Sequence, residues 1–205
     1  MPNRPVLDFW YEFASTYSCL SALRIEDLAE AAGVAVRWRP FLLGPIFAAQ
    51  GWATSPFNLY PNKGRYMWRD TARRAARSGF AIVRPETFPQ NSLVAARLAL
   101  AGREAGWLPA FSKALFRAQV CEGRNIAEEA VLNAALREAG ADPAAAFPAS
   151  RSEEVKGRLK AETELAKSLG IFGAPTFVTG DGELFWGDDR RSEERRVGKE
   201  CRSRW

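Results

Sequence analysis

The chain has 205 residues, 47% of them apolar and 12% aromatic, and carries a net charge of +5 with no histidine. That composition is enough for a substantial packed core. The missing imidazole excludes Ser-His-Asp and Cys-His nucleophile systems, His-ligated metals and imidazole general bases.

Residues 4 to 10 read as a buried strand, with Val6, Leu7, Phe9 and Trp10 nearly continuous. The run is short and carries Asp8, unlike a secretory signal. No stretch of the chain approaches the roughly 20 apolar residues of a membrane helix. The expectation is a soluble cytoplasmic protein without a membrane partner. Residues 16 to 32 read as a helix with Leu20, Leu23, Leu28 and Ala31 on one side and Gly33 as its stop. Ser15 stands at the junction, where a serine side chain caps helices in many proteins and performs chemistry in a few. The segment VAVRWRPF (34 to 41) alternates as a second strand, so the opening is a βαβ unit with a parallel pair.

The stretch from 43 to 62 is rich in glycine, proline and aromatics and reads as a long loop. Helices are predicted at about 64–78, 91–106, 108–122, 126–139 and 150–169, the last ending at Gly170. Then GIFGAPTFVTGDGELFWG reads as loop, strand, Gly-Asp-Gly turn and strand. This layout predicts an α/β, thioredoxin-like fold with an inserted all-helical domain. Its two segments are 1–42 and 170–190, and 43–169 is the insert with its connecting helix.

Arg65, Arg69, Arg73 and Arg77 recur every four residues, either as a solvated basic face or as attraction for a carboxylate-bearing substrate. Trp52, Phe57, Tyr60, Tyr66 and Trp68 either line an aromatic acceptor pocket or pack the helices onto the strands. Residues 191–205 hold six Lys or Arg and three Glu, and so contribute three of the five net positive charges. They present no apolar helical face and are expected to be a non-native tail. Without them the chain is nearly neutral, and no nucleic-acid partner is expected. The three cysteines, Cys19, Cys121 and Cys201, form no C-x-x-C pair, which argues against a disulfide framework or a four-ligand zinc site. No metal is expected.

Four stretches, DFWYEFASTYSCLSALRIEDLA, PNKGRYMWRD, GIFGAPTFV and FWGDDR, span residues 8 to 190. Through them the chain resembles the glutathione-dependent 2-hydroxychromene-2-carboxylate isomerases and the related kappa-class glutathione transferases, of the DsbA-like thioredoxin superfamily. In that superfamily's redox members a C-x-x-C motif opens the first helix. Here Ser15, Thr16, Tyr17 and Ser18 occupy those positions, so dithiol exchange there is absent, and Cys19 is expected to face the core. Thr16 stands where the isomerases usually have proline.

The resemblance implies that glutathione is the cosubstrate. Ser15 would be the catalytic residue, its hydroxyl donating to the glutathione thiolate, with the helix N-terminus lowering the thiol pKa. Pro175 would be a cis proline, and Ala174 before it would hold the cysteinyl backbone like an added strand. Asp189, with Asp188 beside it, would pair with the γ-glutamyl ammonium, and Lys63 would contact a glutathione carboxylate. The family also places an asparagine in the preceding loop. The ungapped match falls at Ala53–Thr54, with Asn58 nearby. The implied activity is isomerisation of a small aromatic substrate of the 2-hydroxychromene-2-carboxylate type through a glutathione thiolate adduct. Irreversible glutathione transfer and a non-catalytic DsbA-like binding scaffold are the alternatives. Relatives of this kind are commonly homodimers.

Overall fold

The computed structural model describes residues 4–189, and the predicted tail, with Arg190 and Cys201, lies outside the described residues. Strand β1 (Val6–Tyr11) lies inside a four-stranded mixed sheet of order β2-β1-β3-β4. Its companions are β2 (Ala35–Pro40), β3 (Thr176–Val178) and β4 (Leu184–Trp186). β1 runs parallel to β2, with Phe9 opposite Trp38, and antiparallel to β3, with Trp10 opposite Thr176. β3 and β4 form the expected antiparallel hairpin.

Both faces of β1 are covered, which is why its apolar run is nearly unbroken. On one face Phe9 stacks on Tyr11 (5.1 Å between ring centroids) and Phe177 (5.4 Å) and meets Trp38 edge-on (5.0 Å). On the other, Trp10 packs edge-on against Phe41 (5.9 Å), with the Arg39 guanidinium 5.0 Å from its ring. Asp8 is held by Arg37 (Nη2 to Oδ2, 2.7 Å) and lies 3.5 Å from Arg39 Nε.

The helix expected over 16–32 is two helices, α1 (Thr16–Ala22) and α2 (Ile25–Ala32). The break falls at Arg24 (φ −137°, ψ −16°). Its guanidinium folds back onto the Leu20 carbonyl (2.5 Å) and also reaches Ser78 (2.8 Å) and Asp188. Gly33, at φ 69°, ends α2 in the left-handed conformation that glycine adopts freely.

The predicted loop 43–62 contains α3 (Leu43–Ala49) and α4 (Pro56–Leu59). Proline there starts a helix rather than breaking one: Pro56 sits in the first turn, and the Ser55 hydroxyl accepts from the Phe57 N–H (3.3 Å). The predicted helices follow as α5 (Pro61–Arg77), α6 (Leu93–Ala101), α7 (Leu108–Phe116), α8 (Glu129–Glu138) and α10 (Glu153–Ser168). A π-helical turn, Arg117–Cys121, extends α7. An additional helix, α9 (Pro143–Ser150), fills a stretch with no predicted element; Asp142 caps it through the Ala144 N–H (3.0 Å).

The apolar core runs without interruption from Phe9 and Tyr11 on β1 into Leu98 on α6, Phe111 and Phe116 on α7, and Leu132 on α8. A smaller cluster, Trp10, Phe41, Ile46, Ala166, Ile171 and Val178, lies across the sheet. Buried Glu162 on α10 joins Arg39 of β2 (3.0 Å) to Arg103 after α6 (2.7 Å), fastening the long helix to sheet and insert alike. No helix of the described residues is long and apolar enough to cross a membrane.

Phe9 touches three aromatic partners and has no exposed surface. Phe9→Ala is therefore expected to cost about 3–5 kcal/mol of unfolding free energy, measured by urea denaturation.

Candidate functional site

Because β1 pairs with both β2 and β3, the turn after β1 and the loop before β3 emerge side by side. They meet at a cavity of about 1190 Å³, which both segments line together with α5 and the α3–α4 region. Ser15 is half-buried at this junction and is the N-cap of α1. Its oxygen accepts from the Ser18 N–H (3.1 Å), and its hydroxyl donates to the Ala174 carbonyl (2.8 Å). The cap uses a lone pair and leaves the hydroxyl proton directed across the cavity wall, so capping and chemistry do not compete for the same part of the group.

The Ala174–Pro175 bond is cis. The segment around it is held by Thr176 Oγ1 donating to the Gly173 carbonyl (2.8 Å) and by the Gly187 N–H donating to the Pro175 carbonyl (3.0 Å). Gly173 is required by packing, since a Cβ there would overlap the Trp186 indole. Trp186 in turn packs on Phe172 (4.9 Å) at the cavity rim.

Five sequence-predicted site residues come together on this cavity: Ser15, Ala174, Pro175, Asp188 and Asp189. The two aspartates differ sharply. Asp188 has no exposed side-chain surface, and its Oδ1 accepts from Ser21 (2.8 Å) and from Arg24. Its Oδ2 lies 3.6 Å from Arg74 Nε and makes no hydrogen bond. Asp189 is exposed and forms no ion pair among the described residues.

Lys63 and Asn58 are not among the residues that line the cavity. Lys63 is exposed in the first turn of α5, with its ammonium 4.6 Å from the Tyr60 ring centre. The Asn58 amide donates to Thr54 Oγ1 (3.3 Å) and to the Phe88 carbonyl (3.2 Å). Ala53 and Thr54, where the ungapped match falls, do line the cavity.

The arginine stripe and the aromatic set divide likewise. On a helix of 3.6 residues per turn a four-residue repeat drifts about 40° per step. Arg73 and Arg77 line the cavity while Arg65 and Arg69 rotate off it. Trp52, Phe57 and Tyr66 line it, whereas Tyr60 and Trp68 pack elsewhere, Trp68 edge-on to Phe88 (5.0 Å).

Sequence reasoning missed Glu12, Tyr17 and Asp70. Glu12 is a buried carboxyl on the cavity wall. It accepts from the Leu43 N–H (3.0 Å) and the Ala14 N–H (3.3 Å), and burial raises its pKa. It ties the Ser15 turn to α3, and its one visible signal was an acid inside an apolar run. The Tyr17 hydroxyl donates to Asp70 (3.0 Å); burial and that carboxylate push its pKa above the usual phenol value. Nothing local in the sequence pairs residues 17 and 70.

The thiols sit behind this wall. Cys19 is fully buried, as expected, with its Sγ 3.8 Å from the Phe116 carbonyl and a hydrogen bond to Cys121. Burial pushes the Cys19 pKa well up. The Cys19 hydrogen bond, aided by Arg117, lowers that of Cys121 to about 7. Among the described residues no three His, Cys, Asp or Glu side chains converge as metal ligands.

Residues 6–193 match the family model of the DSBA-like thioredoxin domain. The chain is 27% identical to a 2-hydroxychromene-2-carboxylate isomerase of Sphingobium xenophagum over 90% of this chain and 93% of that one. It is also 27% identical to one of Pseudomonas putida over 96% of each. A solved 2-hydroxychromene-2-carboxylate isomerase superposes with a TM-score of 0.86 at 27% identity over 97% of both chains.

The thiol pair makes an expectation that alkylation can check. Labelling of Cys121 by iodoacetamide should rise with a midpoint near pH 7, while Cys19 stays unlabelled until the protein unfolds.

Proposed function

The chain belongs to the DsbA-like thioredoxin family, and from that premise we propose that it is a glutathione-dependent isomerase of 2-hydroxychromene-2-carboxylate-like aromatic compounds. The observation that carries this reading is the Ser15 hydroxyl. It caps α1 with a lone pair, points its proton at the Ala174 carbonyl 2.8 Å away, and has no sulfur at the neighbouring motif positions. The named isomerases among the similar proteins support the substrate class.

The cavity residues fit a γ-glutamyl tripeptide. Ala174 offers main-chain hydrogen bonding beside Ser15, and exposed Asp189 offers a carboxylate to an ammonium. Glutathione held there would supply a thiolate nucleophile for the isomerisation. A free-thiol cosubstrate suits the cytoplasm, whose reducing environment keeps thiols reduced.

The chain's own residues do the rest. Ser15 turns its O–H from the Ala174 carbonyl to the sulfur and keeps its cap with Ser18 throughout. This donation stabilises negative charge and lowers the thiol pKa. Because α1 has only seven residues, the stabilisation rests on the hydroxyl rather than on the dipole of a long helix. Glu12 fixes the turn that aims Ser15 by holding the Ala14 and Leu43 N–H groups. Trp52, Phe57 and Tyr66 give the aromatic acceptor an apolar wall and displace water from it.

Titration calorimetry with glutathione, followed by the pH dependence of thiolate ultraviolet absorbance in the complex, tests this. A hydrogen bond to a charged group contributes about 1.5–3 kcal/mol, so Ser15→Ala should raise the bound thiol pKa by about 1–2 units. Turnover near neutrality should fall accordingly, and glutathione should be recovered unchanged after isomerisation. Consumption of glutathione would instead mark a transferase. Absence of glutathione binding to the wild type, or an unmoved thiol pKa in Ser15→Ala, would sink the proposal.

A further inference from the structure

Most charged side chains on the cavity wall already have partners. Asp188 is neutralised by Arg24 and Arg74, and Asp70 receives the Tyr17 hydroxyl and lies 3.9 Å from Arg74. Glu12 is satisfied by backbone N–H groups. Three lining charges remain without an ion pair among the described residues: Arg73, Arg77 and Asp189. All three are exposed. The opposite signs sit on facing elements, the C-terminal half of α5 and the turn after β4.

Those elements are drawn together at that end. Arg74, next to Arg73 and one turn before Arg77, reaches Asp188, and Ser78 directly after α5 is bonded to Arg24. Two guanidiniums and one carboxylate that line one cavity without ion-pair partners among the described residues are complementary to a ligand carrying a carboxylate and an ammonium on one carbon. That is an α-amino-acid headgroup.

We propose that Arg73 and Arg77 receive the α-carboxylate of the γ-glutamyl residue of glutathione, whose α-ammonium lies toward Asp189. This assignment rests on the glutathione reading above and gives α5's cavity-facing arginines the carboxylate-binding task that the sequence had suggested for Lys63. Lys63 lies outside the cavity. The planar guanidinium fork is also the better match for a carboxylate. The same pair could instead hold the carboxylate of the aromatic acceptor. The closeness of α5 to Asp188 favours the γ-glutamyl end.

The test compares two ligands by titration calorimetry, glutathione and cysteinylglycine, which lacks the γ-glutamyl residue. Wild type should bind glutathione more tightly than cysteinylglycine. R73Q/R77Q should bind glutathione at least tenfold more weakly and cysteinylglycine unchanged. Neither arginine has an ion pair among the described residues, so the fold should persist, verified by circular dichroism. The single variants R73Q and R77Q, each expected to weaken glutathione binding severalfold, carry the test if the double variant does not fold. Unchanged glutathione affinity in R73Q/R77Q would overturn the assignment while leaving the enzyme reading intact. An equal loss for both peptides would overturn it as well. Failure of wild type to bind glutathione would overturn both.

Discussion

The pairing of β1 with strands from opposite ends of the chain sets the rest of the architecture. β2 lies parallel on one side and β3 antiparallel on the other, with Trp10 opposite Thr176 near the point where the pairing stops. The next residues along each path are the Ser15 turn and the Ala174 loop. A hydroxyl and a carbonyl separated by 159 positions therefore come within 2.8 Å. Aromatic packing on both faces of β1 holds this geometry, since Phe9 and Trp10 each anchor one of the two cores. The central strand cannot shift without opening both.

Charge on the cavity wall divides into two kinds. Asp188, Arg24 and Arg74 form a buried network that fastens α1, α5 and the turn after β4 to one another. Removing any one member leaves a desolvated charge, so these residues belong to the scaffold although they line the cavity. Arg73, Arg77 and Asp189 are exposed and have no ion pair among the described residues, which leaves them available to the ligand proposed above. A motif match cannot separate these kinds: Asp188 and Asp189 are adjacent in sequence and opposite in burial.

At Ser15, capping a helix and serving a ligand are compatible tasks. A hydroxyl has two lone pairs and one proton. The helix takes a lone pair and the Ala174 carbonyl takes the proton. The same atom can thus terminate a helix and serve a ligand without paying twice.

Much of the fold was legible locally. The strand character of VLDFWY, the stop at Gly33, the β3–β4 hairpin and the major helices follow from side-chain period and turn chemistry over windows of a few residues. So does Ser15 as the cap, whereas the cis Ala174–Pro175 bond was implied by the family resemblance alone. Of the misreadings, the split helix was tertiary in origin and the short helices of 43–62 were local. Arg24 breaks a helix that its own sequence would continue, because its guanidinium is claimed by Leu20, Ser78 and Asp188. Proline-rich 43–62 forms short helices because its prolines fall where helices begin. By itself the sequence determined the strands, the major helices and the Ser15 cap, because these follow from side-chain period and turn chemistry within a few residues. Only the tertiary structure decided which long side chains reach the cavity. Arg73 and Arg77 do and Lys63 does not, because the rotation of α5 and its docking against α1 are set by contacts far away in the chain.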